Sequence, residues 1–262
     1  MPMGSSKPAA ALGLLVMAAV ALSAACGSDD SSGSKSSTAV PTVPAAIGLD
    51  SFHYVASLTL RESDPGGAQI TVSTEGDYQA PDRHSFTFLT GLGTTSIRTS
   101  AVVIGSDVWL RQGDDAWRKT ALNDPQVGTL IRSAFSTIRP QFLGGPEFEQ
   151  VRENVRRLPS NQEFVNDVPT VHYRVEASAN DLIAAFIEGG AGLVENVRGL
   201  RWELWLARDG EWPVRILAAG TVESDLPLLT ELGLATPTQW ELRVDITRPN
   251  DATLAVEAPP EG

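Results

Sequence analysis

The chain has 262 residues, 42% of them hydrophobic, with six tryptophans, eight phenylalanines and a single cysteine. Its formal net charge is -12, and no basic stripe interrupts the acidic balance. That argues against nucleic acid as a partner and against electrostatic recruitment to an anionic membrane, and one cysteine rules out an internal disulfide.

The first element is an apolar run, Ala9 to Cys26, preceded by Lys7 and followed by the polar tract Gly27–Thr38. A spanning helix needs about 20 apolar residues. A secretory signal needs only a positive start, a core of roughly 7–15 apolar residues and small residues before the cut. Leu12–Leu22 supplies the core and Ser23, Ala24 and Ala25 the small residues. With Cys26 next, residues 1–25 resemble a bacterial lipoprotein signal, cleaved before a cysteine that becomes diacylated. Ser23 stands where leucine is commonest in such signals. A plain secretory signal with an incidental cysteine, or an uncleaved anchor, are the competing readings. The lipoprotein reading implies an extracytoplasmic domain held on the cell membrane by palmitate-type acyl chains, and two or more chains are needed for stable anchoring. Residues 26–45, rich in Ser, Gly, Asp, Thr and Pro, cannot bury enough surface to fold and read as a flexible tether.

The folded domain occupies residues 46–262. Phe52–Leu60 alternates with period two, as a half-buried strand does. After the turn Asp64-Pro65-Gly66-Gly67, strands are expected over Gln69–Gln79, His84–Leu89, Thr94–Ile104, Val108–Gln112 and Trp117–Leu122, an antiparallel meander. The period then changes to 3.6. Asn123 or Asp124 caps a helix on which Val127, Leu130, Ile131, Ala134, Phe135 and Ile138 form one stripe. Glu147–Arg157 is ambiguous and suits a short exposed helix. Strands resume over Glu163–Asp167 and Thr170–Ala177. Asn180 caps a second helix, Asp181–Glu188, presenting Leu182, Ile183, Phe186 and Ile187. Leu200–Ala207, Trp212–Ala219 and Trp240–Arg248 are the last strands, and Leu226–Leu234 is a single helical turn beneath the sheet.

About ten antiparallel strands in one domain must curl, because a twisted sheet of that width does not stay flat. The expected class is α+β: a strongly curved half-barrel sheet with two to three helices on its concave face. Such an open barrel encloses an apolar cavity.

Three stretches resemble a known family. Gly76, Pro81, Asp82 and Arg83 fit the strand-turn element of LolA-like lipoproteins, and a meander ending Ile104-Gly105-Ser106-Asp107-Val108-Trp109 follows it. Val165-Asn166-Asp167-Val168-Pro169-Thr170 resembles the later strand entry, with Asp167 in place of a glycine. Asp209-Gly210-Glu211-Trp212-Pro213-Val214-Arg215 resembles the family's hairpin. With the lipidated start, the chain is most similar to the LppX/LprG-type branch. The resemblance implies a domain that binds acyl chains of lipids or lipoproteins as a carrier or chaperone. Its candidate lining is Leu130, Ile131, Ala134, Phe135, Ile138, Leu182, Phe186, Leu228, Leu229 and Leu232, although such stripes are core more often than ligand wall. The alternative is an envelope stress sensor or scaffold that binds a partner protein through the same fold.

Catalytic patterns are sparse. His53, His84 and His172 form no metal-binding helix pair, no G-x-S-x-G elbow occurs, and Gly190-Ala191-Gly192 lacks the third glycine of a dinucleotide loop. No catalytic residue, cofactor or metal is implied. The lipoprotein reading makes the first prediction: Cys26→Ser moves the protein from the membrane fraction to the soluble fraction and abolishes labelling by radioactive palmitate. Equal membrane retention of the variant would refute the anchor.

Overall fold

The structure is a computed structural model that describes residues 49–92, 95–121, 155–159, 163–175, 197–210, 212–223, 229–230 and 232–260. They form twelve strands: β1 (Ser51–Glu62), β2 (Gln69–Gln79), β3 (Arg83–Leu92), β4 (Thr95–Ile104), β5 (Asp107–Gln112), β6 (Arg118–Ala121), β7 (Val155–Arg157), β8 (Glu163–Val165), β9 (Val168–Val175), β10 (Val197–Ala207), β11 (Pro213–Val222) and β12 (Thr238–Thr247). All belong to one antiparallel sheet of order β6-β5-β4-β3-β2-β1-β12-β11-β10-β9-β7, with β8 paired to the other half of β9's edge. One meander runs outward from β1 to β6. A second runs back from β9 to β12, and β12 pairs with β1 over ten consecutive register positions.

Period-two alternation sorts the side chains onto two faces. Phe52, Tyr54, Ala56, Leu58 and Leu60 of β1 share a face with Trp240, Leu242, Val244 and Ile246 of β12 across the register. Phe86 and Phe88 of β3, Ala101 and Val103 of β4, and Trp202 and Leu204 of β10 fall on it as well. This face holds three adjoining clusters. Phe52, Tyr54, Phe86, Val103 and Val108 centre the first, Val175, Trp202 and Leu204 the second, and Leu60, Ile70, Val222 and Leu229 the third. The opposite face is largely polar. Its apolar spots lie around Trp205 and around Val102, where Leu254 and Val256 of the C-terminal segment pack.

Local chemistry explains the turns. Asn166 and Asp167 both have positive φ, 52° and 63°, the two-residue turn that suits a right-twisted hairpin. Asparagine and aspartate tolerate that region, so the glycine expected at 167 is dispensable. Gly76 has a different reason. A Cβ there would stand 2.2 Å from the Ser85 carbonyl oxygen and 2.8 Å from the Tyr54 hydroxyl.

The expected α+β class is overturned. The described residues are all antiparallel sheet, and helical backbone is confined to Leu229 and Thr230. The turn there closes with Gly233 N–H donating to the Thr230 carbonyl and Leu234 N–H to the Leu229 carbonyl. The half-barrel carrying two to three helices on a concave face is replaced by one open, twelve-stranded sheet. The helical stripes expected over Val127–Ile138 and Leu182–Ile187 lie outside the described residues. Val155–Arg157, at the end of the stretch that is ambiguous in sequence, is strand β7. Val155 is buried in register with Val175, and that pairing overrides a spacing that also fits a helix. Among the described residues no helix is long and apolar enough to cross a membrane.

Gly76→Ala generates the second prediction. Backbone and a packed phenylalanine bound the site, so the variant loses about 3 kcal/mol of stability, the upper range for overpacking. Urea unfolding measures it, and a change below about 0.5 kcal/mol would contradict the close approach.

Candidate functional site

The face shared by β1 and β12 is the candidate site. It is built from the seam outward. Along β1 the apolar positions are buried at Phe52, Tyr54, Ala56 and Leu60, but Leu58 between them is only half-buried. Its register partners Val72 on β2 and Leu242 on β12 are half-buried too. Phe88 and Trp240 flank this row in the same condition. A row of apolar side chains therefore runs across three adjacent strands at mid-face, bounded by well-buried residues towards both strand ends. Leu60 and Trp240 face each other one step along, and Trp240 packs against both the second and third clusters.

Two buried polar side chains meet at one end of this face. The Tyr54 hydroxyl and His84 Nε2 share a hydrogen bond of 2.7 Å. Both residues are closed to solvent, with exposures of 0% and 1%. Tyr78, Phe52 and Phe86 ring the pair. Burial pushes the His84 imidazole down to about 3, so it is neutral. Burial, followed by the Asp77 carboxylate, raises the Tyr54 phenol well above its ordinary value. The pair is an uncharged anchor inside the apolar face.

Most of the charge lies on the other face and is paired; Glu62 and Arg118, in register with Thr238 and Leu110, fall at the margins of the apolar face. Arg215 Nε lies 2.6 Å from Asp245 Oδ1, and Arg243 Nε 2.6 Å from Asp245 Oδ2. Arg174 donates to the buried Glu203 carboxylate. His172 stacks on Trp205 between Glu163 and Glu203, and His53 bonds to Asp77. Among the described residues no group of His, Cys, Asp and Glu is arranged to hold a metal. What the apolar face can do chemically is accept hydrocarbon by partition, at about 25 cal/mol per Å² covered.

Of the ten lining residues expected from sequence, Leu229 and Leu232 lie in the described part. Leu229 is buried and Leu232 packs beside it, against Leu60, Ile70, Val222 and Leu234. Leu130, Ile131, Ala134, Phe135, Ile138, Leu182, Phe186 and Leu228 lie outside the described residues, as does Cys26. The row formed by Val72, Leu58 and Leu242 was not among the expected lining residues. Its signal is the alternation of Phe52–Leu60 and Trp240–Arg248, which marks two strands but not that they adjoin.

The third prediction concerns His84. Below about pH 6.5 the unfolded chain takes up a proton that the folded site refuses, so stability is full above that pH and falls towards about pH 3. This group alone contributes a slope of about 1.4 kcal/mol per pH unit. Urea midpoints at about pH 7 and about pH 4.5 differ less in His84→Gln than in the wild type; equal differences would show that the imidazole is not held neutral.

No family model matches the sequence, and no curated protein matches it. Solved structures to which the fold is similar include a LolA superfamily protein from Nitrosomonas europaea, with 9% identity, 79% of this chain and 88% of that one covered, and a TM-score of 0.24. Another is a DUF1329 family protein from Desulfovibrio piger, with 9% identity, coverage of 80% and 89%, and a TM-score of 0.25. A third is an outer membrane lipoprotein-sorting protein domain from Vibrio parahaemolyticus, with 10% identity, coverage of 80% and 88%, and a TM-score of 0.23. At these identities and TM-scores the likeness assigns no function.

Proposed function

We propose that the protein is a lipid-anchored extracytoplasmic carrier that binds the acyl chains of lipids or lipoproteins against the apolar face of its sheet. The observation that carries this reading is the half-buried row Val72–Leu58–Leu242 at mid-face, on a sheet whose other face is polar. Water against such a row is unfavourable, and a hydrocarbon chain laid across the strands relieves it. The cycle needs no covalent chemistry. Chains partition onto the face and leave it at another membrane or partner. The N-terminal acyl anchor and the tether of residues 26–45 keep the domain near a source of lipid.

Native mass spectrometry of the Cys26→Ser form, which needs no detergent, tests the proposal. The expected spectrum shows one stoichiometric adduct of lipid mass. Leu58→Gln and Leu242→Gln each lower its occupancy, whereas Val55→Lys, on the same strand but the exposed polar face, leaves it unchanged. A protein that purifies free of lipid and takes up none from vesicles would overturn the carrier reading and favour a partner protein as occupant of the face.

A further inference from the structure

The geometry points to Trp240 as the residue that recognises the carbonyl of an ester-linked acyl chain, and so selects esters over plain hydrocarbon or ether-linked chains. This inference rests on the carrier reading. Its basis is a single indole nitrogen. Trp240 Nε1 is closed to solvent and has no hydrogen-bond partner among the described residues. A buried donor left without an acceptor forfeits its hydration with nothing in return, so an orphan of this kind in a folded protein calls for a cause.

Its position supplies one. Trp240 sits on β12 two residues from Leu242, which places it about 7 Å along the strand from the row Val72–Leu58–Leu242. In register it lies between Leu60 on β1 and Gly220 on β11. Gly220 lets the indole lie close on the sheet: a Cβ there would come within 3.0 Å of Nε1. The ring as a whole is half-buried while its nitrogen is closed to water. A carbonyl oxygen reaches the nitrogen only as the side chains that close it part around an entering apolar chain. A chain lying along the row brings its carboxyl end beside Trp240, and a carbonyl oxygen there accepts the N–H. The neighbours Leu58, Leu60 and Leu242 offer no competing acceptor side chain. An ether-linked chain fills the same row and leaves the donor as unsatisfied as before. Sites built around a buried donor discriminate most strongly against the ligand that cannot pair it.

The experiment is a competition for delipidated Cys26→Ser protein between a dioleoylglycerol ester and the corresponding dioleyl ether, read by native mass spectrometry. The wild type takes the ester in preference by about tenfold, the worth of one well-made buried hydrogen bond. Trp240→Phe keeps the ring's bulk and removes the donor; it binds the ether as the wild type does, and the preference falls to near parity. A wild type without preference overturns the inference with no variant needed, and so does a Trp240→Phe protein that retains the preference. In both cases the carrier reading stands, because both ligands still bind. If the wild type binds neither probe, the carrier reading fails and this inference with it.

Discussion

Pairing of β1 with β12 is the interaction on which the rest of the structure depends. Apart from β9–β7, every other pair in the main path joins strands within one of the two meanders. Among the strand pairs the seam alone joins the meanders, and it does so between segments near opposite ends of the domain. Closing so long a loop costs little more than closing a short one, because the entropy grows only with the logarithm of length. It does make the seam a late and slow contact. Ten continuous register positions meet that cost, and both ends are tied. At one end Ser63 N–H donates to the Pro237 carbonyl and Ala235 N–H to Glu62 Oε1. At the other, Asn250 N–H donates to the Ser51 carbonyl and Asp50 N–H to Asn250 Oδ1. The electrostatics agree with these ties. Hydrogen bonds from Ala235 and Ala68 hold the Glu62 carboxyl below its ordinary range. Those from the Thr253 side chain and backbone, with Arg248, bring Asp251 down to about 2.

The seam also sets where the candidate site lies. Leu58 and Leu242 are directly opposite each other across it, so the half-buried apolar row crosses the contact that holds the sheet together. Two demands meet at these residues. The seam needs apolar side chains to exclude water from the ladder, and a ligand face would need some of them uncovered. The alternation along β1 shows the compromise: Ala56 and Leu60 are exposed by only 5% and 7%, and Leu58 between them is half-buried.

Much of this was legible in the sequence wherever a single strand decides its own pattern. Gln69–Gln79 has the same bounds in sequence and structure, and the meander to β6 follows the turn residues. What sequence could not supply was partnership. Nothing in Phe52–Leu60 says that its second neighbour is Trp240–Ile246. Without that register, alternating residues on separate strands do not read as one continuous row. A helical stripe is easier to read because one element displays its whole apolar face, and the spacing at Val155 suits a helix as well as the strand that β9 pairs with. Gly76 shows the reverse case. It was legible as part of a turn motif, but its cause, the approach of Tyr54 and Ser85, exists only once β1, β2 and β3 are side by side.

The acidic charge bears on the half-buried row. A protein that leaves apolar side chains uncovered risks associating with its own copies, and a net charge of -12 opposes that. The same charge repels an anionic bilayer. The arginines that face solvent on the polar side do not reverse it, because Arg174, Arg215 and Arg243 are committed to Glu203 and Asp245. On the carrier reading proposed above, electrostatics opposes both self-association and unaided approach to an anionic bilayer. Under that proposal a covalent acyl anchor at Cys26 would supply membrane proximity without any basic surface.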